Sequence, residues 1–344
     1  MSVTLRSRYR GCLLGGAVGD ALGAGVEFLS LTEIRDRFGP SGVTGYVPAY
    51  GRTGAITDDT QMTLFTTEGL IRAELQGGSG PDEIWRAYQR WLSTQAGDRG
   101  SAEGAVGWLP RQTFLHSARA PGRTCLSALQ AGHPGSMREP VNDSKGCGGV
   151  MRVAPIGLTA GDPFTLGCAA AALTHGHPSG YLAGGALALM VSQIVRGVGL
   201  IAAVTATSGR LRQCTGSDEV VRALDAAVGA AQDGLATAGA AAIARLGQGW
   251  VAEEALAIAV YTALAGDGFR SAVLLAVNHD GDSDSTGAIC GNLLGAALGE
   301  QAIDADLLHD LEGADVIRQI ADDLYDTFTD RGLSTAARSR YPAA

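Results

Sequence analysis

An all-α fold is what this sequence predicts, and three observations carry that prediction. Apolar and small residues recur at helical spacing through most of the 344 residues. Alternating strand patterns are nearly absent; GVTGYVPAY, residues 42–50, is the best of them and is short. Helical stretches follow one another without the strand–helix alternation of a doubly wound α/β protein.

Taken in order, the chain opens MSVTLRSRYRGCLLGGAVGDALG. Basic residues precede an apolar run, as in a signal peptide, but Asp20 interrupts the run. Gly11, Gly15, Gly19 and Gly23 recur every four residues and line one stripe of a helix, which lets another backbone approach closely. Helical periodicity or helix-forming composition then covers residues 60–75, 82–93, 165–173, 180–195, 217–235, 252–264, 271–277, 286–298 and 315–328. Gly- and Pro-rich breaks fall at 39–54, 76–81, 97–107, 120–122 and 132–149, and none reads as a long flexible linker. The apolar run 181–204 is long enough to span a bilayer, but Gln193 and Arg196 in its second half favour a buried core helix. One domain over residues 1–344 is expected, with a loosely held tail after 329.

Composition narrows the function classes. With 46 % hydrophobic and 18 % charged residues the chain is not disordered. A net charge of −9 argues against a sequence-independent grip on nucleic acid, which needs a basic face. Six cysteines lie far apart without a C-x-x-C pair and read as buried thiols of a cytoplasmic protein. No membrane attachment is expected, and a monomer is.

Two acidic clusters carry the chemistry. In HDGDSDSTGAICGN, Asp280, Asp282 and Asp284 stand within five residues. Like charges this close cost free energy unless a cation sits among them. The start fits an EF-hand loop, but position six is Ser285 and position twelve is Gly291, so the EF-hand is excluded. In GAITDDTQMTLFTTEGL, Thr57, Asp58 and Asp59 precede a helical run. Asp58 with Gln61 also reads as a capping box. Adjacent carboxylates on a first helical turn point about 100° apart and would serve two neighbouring cations. Joined to Asp282 and Asp284 they make an oxygen-only donor set suited to Mg²⁺, Mn²⁺ or Ca²⁺.

At this point the chain resembles the ADP-ribosylglycohydrolases, the all-α family of the dinitrogenase-reductase-activating glycohydrolase and the eukaryotic ADP-ribosylhydrolases. Five blocks look like its successive signatures, in order: GCLLGGAVGDALGAGVEF, TDDTQMTLFTTEGL, SKGCGGVMRVAPIGL, LTHGHPSGYLAGGALAL and VNHDGDSDSTGAICGNLLGAALG. The resemblance implies one compact orthogonal multi-helix bundle with a binuclear Mg²⁺ (or Mn²⁺) centre. It places the metal ligands at Thr57, Asp58, Asp59, Asp282, Asp284 and Ser285, with Thr286 weaker and Asp280 a nearby charge or loop cap. It makes Glu27, with Asp59 and Asp284, the catalytic set. Gly146, Gly148, Gly149 and His175 would line the substrate, the glycines offering bare backbone N–H groups to phosphate oxygens; His177 has weaker support.

Residue types alone leave simpler readings open: a helix-end carboxylate for Glu27, a turn for the glycines and a structural imidazole for His175. One departure separates the chain from the nitrogenase-activating branch. Where that branch carries an acid shortly before Gly-x-Thr, this chain has Arg119, Ala120 and Pro121 before Gly122. Arg123 reads as a surface residue. The expected activity is hydrolysis of the ribose C1″ bond of an ADP-ribosylated protein, on arginine first. Release of O-linked ADP-ribose from serine or an O-acetyl ester is the second reading, and a catalytically weak ADP-ribose-binding module the third. The expected partner is therefore an ADP-ribosylated protein or an ADP-ribose-containing small molecule.

Overall fold

A computed structural model of the chain describes residues 3–95, 107–232, 239–329 and 332–342. Its helices are α1 (Leu5–Gly23), α2 (Leu31–Phe38), α3 (Asp58–Gln76), α4 (Gly80–Gln95), α5 (Arg123–Gln130), α6 (Pro163–Ala172), α7 (Pro178–Val195) and α8 (Leu200–Leu211). They continue with α9 (Asp218–Gln232), α10 (Ala240–Leu246), α11 (Ala252–Ala265), α12 (Gly268–Val277), α13 (Ser283–Leu298), α14 (Ala305–Asp310), α15 (Ala314–Thr327) and α16 (Thr335–Arg338). No strand occurs among the described residues, so the fold class is all-α as read from the sequence. The expected break at 97–107 and the end of the expected helix 217–235 lie largely outside the described residues.

The centre of the bundle is the antiparallel pair α1 and α13. Their glycine stripes mesh. A Cβ on Gly11 would overlap the Gly295 carbonyl, one on Gly15 that of Gly291, and one on Gly19 that of Gly287. At the end of the stripe Gly23 lies against the backbone of Asp284. The stripe on α1 predicts a close neighbour, and α13 is that neighbour: its Gly287, Gly291 and Gly295 face Gly19, Gly15 and Gly11. Around this pair α3, α7, α11, α12 and α15 complete one continuous apolar core.

Local chemistry explains most boundaries. Thr4 caps α1 by accepting the Ser7 amide, and Asp162 caps α6 with Pro163 at its first position. Gly77, in the left-handed region at φ 65°, ends α3. Ser30 and Glu33 close a reciprocal capping box that starts α2, a helix the periodicity missed. The apolar run 181–204 is divided between α7 and α8 by Gly197, at φ 93°. Among the described residues α7 is the one helix long and apolar enough to cross a membrane, and most of it is buried in the protein.

Residues 42–50, the best strand candidate in the sequence, form no strand; Asn278 satisfies both backbone groups of Val43 at 2.8 and 2.9 Å. One expectation is corrected. The tail is held from 332 to 342: Leu333, Ala337 and Tyr341 are buried, and the Tyr341 hydroxyl donates to Asp323 at 2.7 Å.

The meshed stripes make a paired prediction. Gly291→Ala puts a methyl group into the Gly15 carbonyl and should destabilise the protein by about 1–3 kcal/mol or more, the usual range for overpacking. Gly209→Ala, in α8 with open space around it, should gain up to about 1 kcal/mol from helix propensity. Urea denaturation of both variants checks the contrast, and equal effects would contradict it.

Candidate active site

The N-termini of α3 and α13 meet at one cleft of about 510 Å³. Asp58 and Asp59 line it from α3, Asp282, Asp284 and Ser285 from α13, and Glu27 from the turn after α1. Ligand oxygens of Glu27, Asp282 and Asp284 lie within 4.8 Å of one another.

Each acid is placed by helix-terminus chemistry. Thr57, not Asp58, caps α3: its hydroxyl accepts the Asp59 amide at 3.3 Å. Gln61 turns away to Trp91, whose indole N–H donates to it at 3.0 Å, so the capping box expected between Asp58 and Gln61 does not form. Asp58 is free to accept the Gly122 amide at 3.2 Å instead. On α13 Asp282 is the cap, accepting the Ser285 amide at 3.3 Å and the Cys147 thiol at 2.7 Å. The Ser285 amide also reaches Asp284 at 2.8 Å. Asp280 stands apart and accepts the Leu31 amide at 2.6 Å, a loop cap. Thr286 turns its hydroxyl to backbone carbonyls and to His279.

Sequence reasoning missed Asp20. This fully buried carboxylate of α1 accepts the Thr57 amide at 3.1 and 3.0 Å, the Thr57 hydroxyl at 2.8 Å, the Thr60 amide at 3.1 Å and the Thr60 hydroxyl. It thereby fixes the first turn of α3, and with it Asp58 and Asp59. Burial and the charge of Asp284 raise its pKa from 3.8 to about 7, against the lowering effect of those hydrogen bonds. Arg119 was also missed as an anchor. Buried against Glu312, it donates to that carboxylate and, at 2.9 Å, to the Ile56 carbonyl just before α3. The loop beyond it, with Ala120 at φ 52°, forms a cleft wall, and Arg123 lies exposed on its rim. Phe28 and Trp250 stack at 5.9 Å across the cleft, 69 % and 39 % exposed.

The substrate-side residues divide. Gly146 and Gly148 line the cleft with His175. Gly149 does not: it sits behind them, where a Cβ would press on the His175 ring and Ala171 at 3.3–3.4 Å. Of the loop's donors, the Gly146 amide already reaches Ser144 at 3.3 Å and the Cys147 amide the Trp250 carbonyl at 3.2 Å. The glycine cradle is therefore narrower than the sequence suggested. His175 is buried, and burial followed by the Arg152 charge lowers its pKa to about 3, so it is neutral. His177 caps α7 by accepting the Ser179 amide at 3.1 Å and is structural.

The electrostatics of the acid end decide what it can hold. Asp20, Glu27, Asp58, Asp59, Asp282 and Asp284 are all at least nine-tenths buried. None of the six forms an ion pair among the described residues. One oxygen of Glu27 and one of Asp59 are sealed from solvent without any hydrogen-bond partner. Burial first, then the charge of Asp284, pushes Glu27, Asp58, Asp59 and Asp282 well above the ordinary carboxylate range. Unpaired buried carboxylates of this density are costly unless cations join them, and an oxygen-only donor set fits hard divalent ions.

A family model described as ADP-ribosylglycohydrolase matches residues 1–333. The chain belongs to the ADP-ribosylglycohydrolase family. Its relatives include an uncharacterized protein of Archaeoglobus fulgidus, 28 % identical over 94 % of this chain and 97 % of that one. The ADP-ribosyl-[dinitrogen reductase] glycohydrolase of Rhodospirillum rubrum is 27 % identical over 90 % of this chain and 92 % of its own length. A solved structure named as an ADP-ribosylglycohydrolase-related protein complex superposes with a TM-score of 0.63 at 26 % identity, covering 94 % of this chain and 99 % of the other. For an ADP-ribosylglycohydrolase, hydrolysis of ADP-ribose linkages is the supported class of activity, and the acidic cleft is where the family's signature blocks converge.

The raised pKa values predict how stability varies with pH. A carboxyl group whose pKa is higher in the native than in the unfolded chain binds more protons when folded, so stability falls as pH rises through that interval. Chelated protein should therefore lose stability from about pH 4 upward, for Asp20 until about pH 7. Mg²⁺ or Mn²⁺ at 100 times its Kd should restore about 2.7 kcal/mol. Asp59→Asn should raise the melting temperature of chelated protein at pH 8 and shrink the gain on adding cation. Melting curves at pH 5 and pH 8 test this; stability that rises with pH in chelator would contradict it.

Proposed function

We propose that this chain is a divalent-cation-dependent hydrolase that removes ADP-ribose from arginine side chains of a modified protein. The observation that carries the proposal is the set of five buried carboxylates, none in an ion pair among the described residues, that line a cleft large enough for a nucleotide-sized ligand, with the buried Asp20 behind them. Two cations, Mg²⁺ or Mn²⁺, would be held by Thr57, Asp58 and Asp59 on the α3 side and by Asp282, Asp284 and Ser285 on the α13 side. Thr57 suits this role although it caps α3, because its proton goes to Asp20 and leaves its oxygen an acceptor. When bound, the cations supply positive charge that binds ribose hydroxyls and acidifies a water.

The chain's own residues supply the rest. Cleavage of the ribose C1″–N bond develops oxocarbenium character on the ribose, as in glycoside hydrolysis. Glu27 holds or relays the proton at its unpartnered Oε2. Asp59 and Asp284 fix the geometry around it, and Gly146, Gly148 and His175 hold the ADP portion along the other wall. The bias of the cleft toward negative charge favours a cationic acceptor. The exposed faces of Phe28 and Trp250 at its rim suit stacking by a planar guanidinium. The name of the Rhodospirillum rubrum relative supports a protein substrate. All six cysteines are free thiols, which supports a reducing, cytoplasmic setting. A single-domain monomer completes the reading.

Glu27→Gln should keep the fold and the cation-induced rise in melting temperature. Its turnover should be slower by the 10²–10⁴-fold typical of a general acid–base group. Turnover near wild type would remove Glu27 from the reaction. Incubation with arginine-linked and serine-linked ADP-ribosyl peptides, with and without Mg²⁺, tests the substrate. Release from arginine only with cation is the expected result, and exclusive release from serine would overturn the linkage.

A further inference from the structure

Arg152 is a fully buried guanidinium that pairs with no carboxylate among the described residues. It lies 4.3 Å over the Tyr88 ring and donates to the Cys125 and Met62 sulfurs. Its strongest contact is a 2.6 Å hydrogen bond to the Thr174 hydroxyl, which in turn lies 2.8 Å from His175 Nδ1. His175 lines the cleft, and its other nitrogen, Nε2, has no protein partner yet is not sealed from solvent.

Proton accounting fixes the roles. Thr174 is completely buried, and its oxygen receives the Arg152 N–H. The hydroxyl has one proton of its own, and His175 Nδ1 is the acceptor within reach. Were Nδ1 protonated instead, the hydroxyl oxygen would take two donors and its own proton would be stranded in the core, at the cost of an unmade buried hydrogen bond. We infer that Arg152 and Thr174 are positioning residues that lock His175 as the Nε2–H tautomer, presenting a neutral N–H donor to an anionic oxygen in the cleft. Resting on the function proposed above, that oxygen belongs to the diphosphate of ADP-ribose. Arg152 performs a second service. With no acid to neutralise it, its charge stands behind the Gly146–Gly148 wall and favours an anion there.

The test is nitrogen NMR of the ring in the full-length protein labelled at histidine, with His175 assigned by the signals lost in His175→Gln. Wild type should show one tautomer, with the proton on Nε2 and Nδ1 at the position of a hydrogen-bonded imine nitrogen. Thr174→Val should free the ring, giving the averaged ring-nitrogen signals of two exchanging tautomers, and weaken ADP-ribose binding, measured by calorimetry, by up to roughly ten-fold, the loss expected of one hydrogen bond to a charged group. Thr174→Ser, which keeps the hydroxyl, should restore both and covers the case that the valine variant folds poorly. A wild-type proton on Nδ1, or a serine variant with the signals of two exchanging tautomers, overturns the inference. If wild type shows the expected tautomer but binds no ADP-ribose, the proposed function fails while the tautomer lock stands. If Thr174→Val binds ADP-ribose as tightly as wild type, the lock has no part in binding and the inference falls.

Discussion

The structure depends first on how closely α1 and α13 approach. Glycine meets glycine backbone at three successive levels, so neither helix can move away without leaving a slot or move in without a clash. The consequence is positional. The same stripe that fixes the pair ends at Gly23 against Asp284. One contact surface therefore sets the height of Asp20 on α1, the turn bearing Glu27 just beyond it, and the acidic first turn of α13. Asp20 then transmits that placement to α3 through the Thr57 and Thr60 amides.

What is built on this frame is electrostatically adverse for an empty protein. Helix N-termini favour carboxylates, and Asp58, Asp59, Asp282 and Asp284 all use them. Even so, six buried acids without a basic partner leave the site strained toward protonation or cation uptake. Arg119 and Arg152, the two buried guanidinium groups near the cleft, are directed elsewhere, to Glu312 and to Thr174. The acid end is thus kept free of internal ion pairs that would compete with a cation, and positive charge is kept behind the wall where an anionic ligand is proposed to lie.

How much of this was legible in the sequence follows the range of the interactions. The two acidic clusters were legible because each sits at a helix start, where Asp, Thr and Ser have a local reason to be. Their convergence was inferred from incompleteness and from the resemblance, and the cleft brings them together. Asp20 read only as a break in an apolar run, since its partners lie 37 and 40 residues away. The stripe on α1 announced a close neighbour without naming it; the matching Gly287, Gly291 and Gly295 were visible but not paired with it. The α2 start was readable in Ser30 and Glu33 and was passed over for lack of periodicity. Gly149 was grouped with its neighbours because sequence does not tell which face of a tight turn meets a ligand. The tail carried no pattern of its own, and its hold on Asp323 is long-range.

The central claim is that the N-termini of α3 and α13 share cations. Anomalous diffraction at the manganese edge from crystals of the protein grown with Mn²⁺ tests it most directly. The account predicts two peaks between Asp58 and Asp59 on one side and Asp282 and Asp284 on the other. Full occupancy of Mn²⁺ elsewhere with no peak in this cleft would contradict it.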